Sequence, residues 1–273
     1  MYFMLLRRRK LKIYDCFTFF NELELLDLRL MVLSDYVDYF VLVEADTTHT
    51  GKPKEFIFEN NKDMFSDYLD KIIHIKVTDL PKYSKVNIWP AENFQRLCIE
   101  RGLAEAEEGD KIIVSDADEI PNPETILKHL DHKAPVALQQ KLFYYYVNCF
   151  QNQPWSAPVL LTRGHYSSVQ EDRLTAFYSK NPVSNGGWHY SYMGGPEKIR
   201  LKVENIAESH VIIDKVGDIS TIEKKMKNQK DLWGRADAES QKWLIDIHEE
   251  GMAPRCIDRF IAKYPEFYFN NES

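Results

Sequence analysis

The sequence has no apolar run long enough to cross a bilayer, no Cys-x-x-Cys pair, no zinc-ligand spacing, no internal repeat, no low-complexity tract and no clear linker. Each absence excludes a class. The run Met1 to Leu6 is far too short for a membrane span, and the basic Arg7-Arg-Arg-Lys10 follows it, the reverse of a signal peptide's order. A soluble, cytoplasmic protein without a transmembrane segment is expected; the basic cluster is either a solvated tail or a peripheral membrane contact. Positive charge is also in deficit: the net charge of −7 disfavours nucleic acid as a partner and recruits no anionic lipid. The four cysteines, Cys16, Cys98, Cys149 and Cys256, lie far apart and read as reduced thiols rather than as a metal site or a disulfide framework.

What is present is ordinary for a soluble globular chain, with 44% hydrophobic and 28% charged residues, except that 13% aromatic is rich. The aromatics must fill a core or line a binding surface. Lys12 to Phe20 alternates as a strand. Leu23, Leu26, Leu30 and Leu33 then recur at helical spacing behind Asn21 as a cap, with Glu22, Glu24, Asp27 and Arg29 on the other faces. Tyr39 to Val43 reads as a second buried strand, Phe65 to Leu69 as a short helix, Ile72 to Val77 as a third strand, and Ala91 to Glu108 as one helix. Strand and helix alternate through residue 122, which predicts a parallel nucleotide-binding half-sheet. Beyond it Glu124 to His132 reads as a short helix, and Val136 to Phe150 and Val159 to Leu161 as strands with little helix between, so the second half, about 123–260, is antiparallel or mixed. Helices are expected from Pro196, with Ile199, Val203 and Ile206 on its core face, and from Ser220 by its capping box. One domain with two functional halves follows.

The most informative stretch is Lys111-Ile-Ile-Val-Ser-Asp-Ala-Asp-Glu-Ile-Pro121. Ile112, Ile113 and Val114 read as a core strand, and Pro121-Asn-Pro123 is expected to stop it. The acids then fall at the carboxyl end of that strand, where open α/β sheets bind ligands. Asp116 and Asp118, two apart, share a face of an extended backbone and are placed to hold one divalent cation; oxygen ligands favour Mg²⁺ or Mn²⁺.

Several stretches together resemble the glycosyltransferase family that includes the beta-1,4-mannosyl-glycoprotein beta-N-acetylglucosaminyltransferase: Tyr14 to Glu22, Val43-Glu44 with Thr48-His-Thr-Gly-Lys-Pro-Lys54, Glu92 with Gln95-Arg96, Ser115 to Pro121, and Gly187-Trp-His-Tyr-Ser191 with the following glycine pair and Pro196-Glu197. They cover roughly residues 12 to 215, in the family's order. The resemblance implies a Rossmann-like type A fold with a mostly parallel sheet, a nucleotide-sugar donor, namely UDP-GlcNAc, a glycan acceptor, and inversion at the anomeric carbon. No membrane anchor or stem is evident, which turns the expected acceptor from an N-glycan toward a bacterial or viral surface glycan.

Under that resemblance the residues take roles. Asp118 is expected to bind Mn²⁺ (or Mg²⁺), Asp116 the metal or the donor's ribose, and His210, after the helix that begins at Pro196, a third metal position; the cation would offset charge building on the leaving diphosphate. Glu119 either supports these acids or is solvated. Inversion needs a base for the acceptor hydroxyl, assigned to Glu197 with Asp172 as its rival. Glu44 is expected on the nucleoside, unless it pairs with Arg96 inside the fold, and Gln95 and Arg96 on base or diphosphate. Trp188 and His189 would form a sugar-stacking wall, unless Trp188 is core packing. Two other readings use the same acids: a metal-dependent phosphate or phosphodiester hydrolase, and a carbohydrate-binding relative without turnover.

Overall fold

The computed structural model describes residues 10–235 and 242–270, so the apolar-then-basic start at 1–9 lies outside the described residues. The first half alternates as expected: strand β1 (Ile13–Phe19), helix α1 (Leu23–Leu33), strand β2 (Tyr39–Ala45), helix α2 (Ile57–Asn61), a 3-10 segment (Lys62–Tyr68), strand β3 (Ile72–Val77), helices α3 (Pro90–Leu97) and α4 (Ile99–Gly102), and strand β4 (Lys111–Asp116). These four strands pair in parallel in the order β3-β2-β1-β4, with Thr18 level with both Val43 and Asp116. The carboxyl ends of β1, β2 and β4 therefore finish together.

The second half holds β5 (Glu119–Pro121), α5 (Pro123–Lys128), β6 (Val136–Tyr144), β7 (Cys149–Trp155), β8 (Val159–Thr162), α6 (Val169–Phe177), β9 (Val183–Ser191), α7 (Pro196–Asn205), α8 (Ser209–Val216), α9 (Ile219–Lys227), β10 (Lys242–Leu244) and α10 (Ile257–Lys263). It is mixed, as expected: β8 joins β4 antiparallel, and β6, β7 and β10 extend the sheet beyond it. β9 runs parallel to β6 and antiparallel to β5, which hangs the second half on the residues just after the motif strand.

Alternation along the central strands divides the core into two faces. Phe17, Leu42 and Ile113 meet α1 and α10 on one side, while Cys16, Val41 and Ile112 meet Ile99, Leu103 and the buried face of α6 on the other. A third cluster joins Leu142 and Tyr145 to Ile199 and Val203 of α7 and to Ile212 and Ile222 of α8 and α9.

The departures from the sequence reading have local causes. Strand β4 stops at Asp116, ahead of the proline; after a two-residue turn the chain resumes as β5, which ends at Pro121 opposite Gly187, as expected of that proline. The helix expected over 91–108 breaks at Cys98 and ends at Gly102, which lies under β2; a Cβ there would fall 2.3 Å from Val41 Cγ1. The run expected over 136–150 divides at Tyr145, which has a left-handed φ of 69°. Helix α9 is capped by Asp218, accepting from the Thr221 amide, rather than by Ser220. Asn21 does not cap α1; Glu22 holds the position before the helix, and its carboxylate accepts from the Phe20 and Asn21 amides upstream. Helix α1 is less two-faced than its leucine spacing implies, because Asp27 and Arg29 are buried with the leucines.

A Gly102→Val substitution forces extra carbon against Val41 and should cost about 1–3 kcal/mol. Urea unfolding would read this as a lowered midpoint; an unchanged midpoint would contradict the close packing of α4 on β2.

Candidate active site

The site grows from one buried side chain. Arg29, fully enclosed, forms a two-pronged pair with Asp15 of β1 at 2.6 Å through both Nε and Nη2. Its Nη2 also donates to Ser115 Oγ at 2.5 Å, and its Nη1 to the carbonyls of Asp116 at 2.8 Å and Glu119 at 3.0 Å. A planar guanidinium with five donors is suited to this, because one rigid group can satisfy several backbone acceptors at once. It thereby ties β1 and α1 to both ends of the Asp116-Ala-Asp-Glu119 turn and fixes where the acids point.

Each acid then meets a cation. Asp116 accepts from Arg96 Nη2 at 3.0 Å and Thr18 Oγ1 at 3.1 Å on Oδ1, and from Arg173 Nη2 at 2.8 Å on Oδ2. Glu119 is enclosed by Arg173 at 2.8 and 2.9 Å, by the Trp155 indole N–H at 2.5 Å, and by the amide of Asp116 at 2.7 Å. Asp118 takes Lys202 Nζ at 2.7 Å on Oδ2, and its Oδ1 stands 3.7 Å from His189 Nε2. Burial by itself would raise both aspartates, but Arg173 and Arg96 hold Asp116, and Lys202 and His189 hold Asp118, well below the usual carboxylate range.

These groups border a cavity of about 390 Å³ over the carboxyl ends of β1, β2 and β4. That size suits a small organic ligand. Phe19, Phe20 and the loop Thr47-Thr-His49 line it from the first half of the chain, and Tyr144, Trp155, His189, Tyr192 and Trp233 from the second.

The structure brings Asp116, Asp118, Gln95, Arg96 and His189 to this cavity. Gln95 is spent on holding strand ends, donating to Val43 O at 3.0 Å and pairing with His49 at 2.8 Å. Other expected residues lie elsewhere. Glu44 is buried away from the cavity and its oxygens are consumed inside the fold, by Lys54 at 2.9 Å, His74 at 3.1 Å and the amides that open α2, so it neither faces a nucleoside nor pairs with Arg96. Trp188 is core, its indole donating to Gly251 O at 3.3 Å; the tryptophans on the cavity are Trp155 and Trp233. The glycines before Trp188 serve close strand approach rather than a ligand, since a Cβ on Gly187, at φ 133°, would sit 2.1 Å from Ile120 O. Glu197 is exposed on the first turn of α7 and does not border the cavity. Asp172 accepts from the amides of Ser167 and Ser168 at the start of α6, again off the cavity. His210 is exposed on α8 and also stands outside it.

Arg29, Arg173, Lys202, Trp155 and Glu208 went unrecognised in the sequence. No local pattern distinguishes them: Arg29 and Lys202 occupy polar positions of amphipathic helices, and Arg173 lies one residue past an acid that did draw notice. A divalent cation needs donors free to turn toward it. Both oxygens of Asp116 are engaged by guanidinium groups, one oxygen of Asp118 by an ammonium, and among the described residues no three His, Cys, Asp or Glu side chains are grouped to hold a metal ion. As arranged, the side chains do not fit the expected Asp116, Asp118 and His210 cation site.

Acids presented over the carboxyl ends of parallel strands, beside a cavity of this size, define the ligand site of an α/β nucleotide-binding fold. The chain belongs to glycosyltransferase family 17, whose family model matches residues 3–237. It is 25% identical over 219 residues to the Beta-1,4-mannosyl-glycoprotein 4-beta-N-acetylglucosaminyltransferases of Homo sapiens and Rattus norvegicus, an alignment taking in 67% of this chain and 41% and 40% of theirs. The chain thus matches about two fifths of the length of those relatives. A solved structure of an active-site mutant of LgtC is 12% identical, with 63% of this chain and 71% of that chain covered at a TM-score of 0.31. Among the described residues no helix is long and apolar enough to cross a membrane.

Replacing Arg173 by Met would leave Asp116 and Glu119 facing each other with Arg96 alone, at a cost of about 3–5 kcal/mol at neutral pH. Because the folded state depresses the Asp116 pKa, this stabilisation is present above the unfolded value of about 3.9 and fades as pH falls through the folded one. Urea unfolding at pH 7 and at pH 3 should therefore show the gap between parent and variant narrowing in acid; a constant gap would remove the ion pair as its cause.

Proposed function

We propose that the protein is an inverting glycosyltransferase that moves a sugar, N-acetylglucosamine from UDP-GlcNAc, onto a hydroxyl of a glycan. The observation that carries this reading is the placement of the Asp116-Ala-Asp-Glu119 turn on the wall of the cavity, within a chain of glycosyltransferase family 17. The names of the aligned relatives support the sugar.

The chemistry follows from what each half of the chain contributes to the lining. The nucleoside lies along Phe19, Phe20 and Thr47-Thr-His49, where the carboxyl ends of β1 and β2 supply apolar contact and hydroxyls. The diphosphate reaches Asp118 and Lys202, and the sugar faces Trp155, whose ring packs on His189 with centroids 4.8 Å apart and gives the hexose a flat apolar wall. The bond between the anomeric carbon and the diphosphate oxygen breaks as the acceptor oxygen attacks from the other face, and a base takes that hydroxyl's proton.

Among the acids bordering the cavity, Glu22 accepts from backbone amides, Glu92 pairs with Arg96, and the motif acids are committed to cations. Glu208, just after α7, has no ion pair among the described residues, and burial followed by the nearby charges of Glu92 and Asp116 raises its pKa. A carboxylate tuned upward is a better proton acceptor near neutral pH. We assign the base to Glu208 in place of Glu197 and Asp172.

Glu208→Gln should keep donor binding and lose transfer by about 10²–10⁴-fold. In the parent, kcat/KM should rise with pH through the raised Glu208 value, and the variant should lose that limb. Near-normal turnover in the variant, measured as nucleoside diphosphate released with acceptor present, would send the role elsewhere. A separate assay of the parent against a panel of nucleotide sugars tests the donor, and release from none of them would sink the transferase reading.

A further inference from the structure

Six acids border the cavity, Glu22, Glu92, Asp116, Asp118, Glu119 and Glu208, against four cations, Lys54, Arg96, Lys202 and Arg235. A nucleoside diphosphate brought here adds negative charge to a surface already in deficit of positive charge. A cation with unfilled hydrogen-bonding capacity must receive it. Three of the four already make two or more close hydrogen bonds within the protein, although among the described residues Nε of Arg96 and Nη1 of Arg235 have no partner. Lys54 bridges Glu44 at 2.9 Å and the Glu55 carbonyl at 2.8 Å; Arg96 joins Glu92, Asp116 and Gln170; Arg235 forks onto Asp231 at 2.9 Å.

Lys202 differs. It lies on α7 between Ile199 and Val203, whose burial fixes the helix and turns the lysine stem across the Tyr192 ring, Nζ 5.6 Å from its centroid. Among the described residues its one close acceptor is Asp118 at 2.7 Å, with Glu22 at 3.9 Å, and the side chain keeps 23% of its surface open. An ammonium has three donors on a flexible stem, so a phosphate can be met without breaking the Asp118 contact. Asp118, in this arrangement, aims the ammonium rather than ligating an ion.

We propose that Lys202 is the ligand of the donor's β-phosphate, so that the site carries its own cation and binds a nucleoside diphosphate without a divalent metal. This rests on the nucleotide-sugar reading above and names the residue that meets the leaving group.

Calorimetric titration with UDP and UMP, in chelator and then in Mn²⁺, tests it, since only UDP carries the β-phosphate. In chelator the parent should bind UDP at least about tenfold more tightly than UMP, the scale of one charge-assisted hydrogen bond. Lys202→Met should reduce UDP to the level of UMP with UMP unchanged, and Lys202→Arg should keep most of the preference. Because the Met variant leaves Asp118 unpaired, Lys202→Met combined with Asp118→Asn serves as the folded control, and it too should show no preference. Asp118→Asn alone should retain UDP binding in chelator. The proposal is overturned if the parent prefers UDP only when Mn²⁺ is present, or if Lys202→Met weakens UDP and UMP in parallel. Failure of the parent to bind either nucleotide under both conditions would instead overturn the donor reading itself.

Discussion

The Arg29 to Asp15 pair is the constraint on which the site depends. A guanidinium taken wholly out of water is costly unless its donors are all met, and here they are met by Asp15, Ser115 and the carbonyls of Asp116 and Glu119. Those acceptors belong to β1, to β4 and to the turn into β5, so satisfying one side chain fixes the register of three elements. The motif turn cannot relax toward solvent without stranding buried charge. The three carboxylates are crowded together because something beneath them makes another arrangement worse.

Around that fixed turn the charges are layered by mobility. Arg96 and Arg173 are buried and shared among several acceptors, which makes them part of the wall. Lys202 reaches in from the second half on a flexible stem and, among the described residues, meets a single close acceptor. The first half of the chain thus supplies most of the fixed acids and a rigid floor of strand termini, while the second half supplies Lys202, the aromatic wall and Glu208. Pairing of β9 with both β5 and β6 holds the two halves in register across the cavity.

Much of the fold was legible. The β-branched runs at Ile72–Val77 and Lys111–Val114 and the leucine spacing of α1 identify buried elements because apolar periodicity reports burial directly. The motif acids were legible as a site because a core strand ending in carboxylates has few other uses. The boundaries that failed, at Gly102, Tyr145 and Asp116, depend on what lies opposite in space: Val41 above Gly102, and β9 across from the short strand that follows Asp116. No reading of neighbours along the chain supplies that.

The site roles divide the same way. Sequence by itself determined the residue types at the motif, the family they resemble and the alternation of strand and helix, since these follow from local chemistry and spacing. Tertiary structure decided which charges meet. It turned Glu44 into an anchor for Lys54 and for the start of α2, put Trp188 in the core and Trp155 on the cavity, left Glu197, Asp172 and His210 outside it, and delivered Lys202 from 84 residues away to Asp118. A charged side chain on an amphipathic helix looks the same in sequence whether it faces water or a buried carboxylate, and only the packing of that helix on its neighbours distinguishes the two.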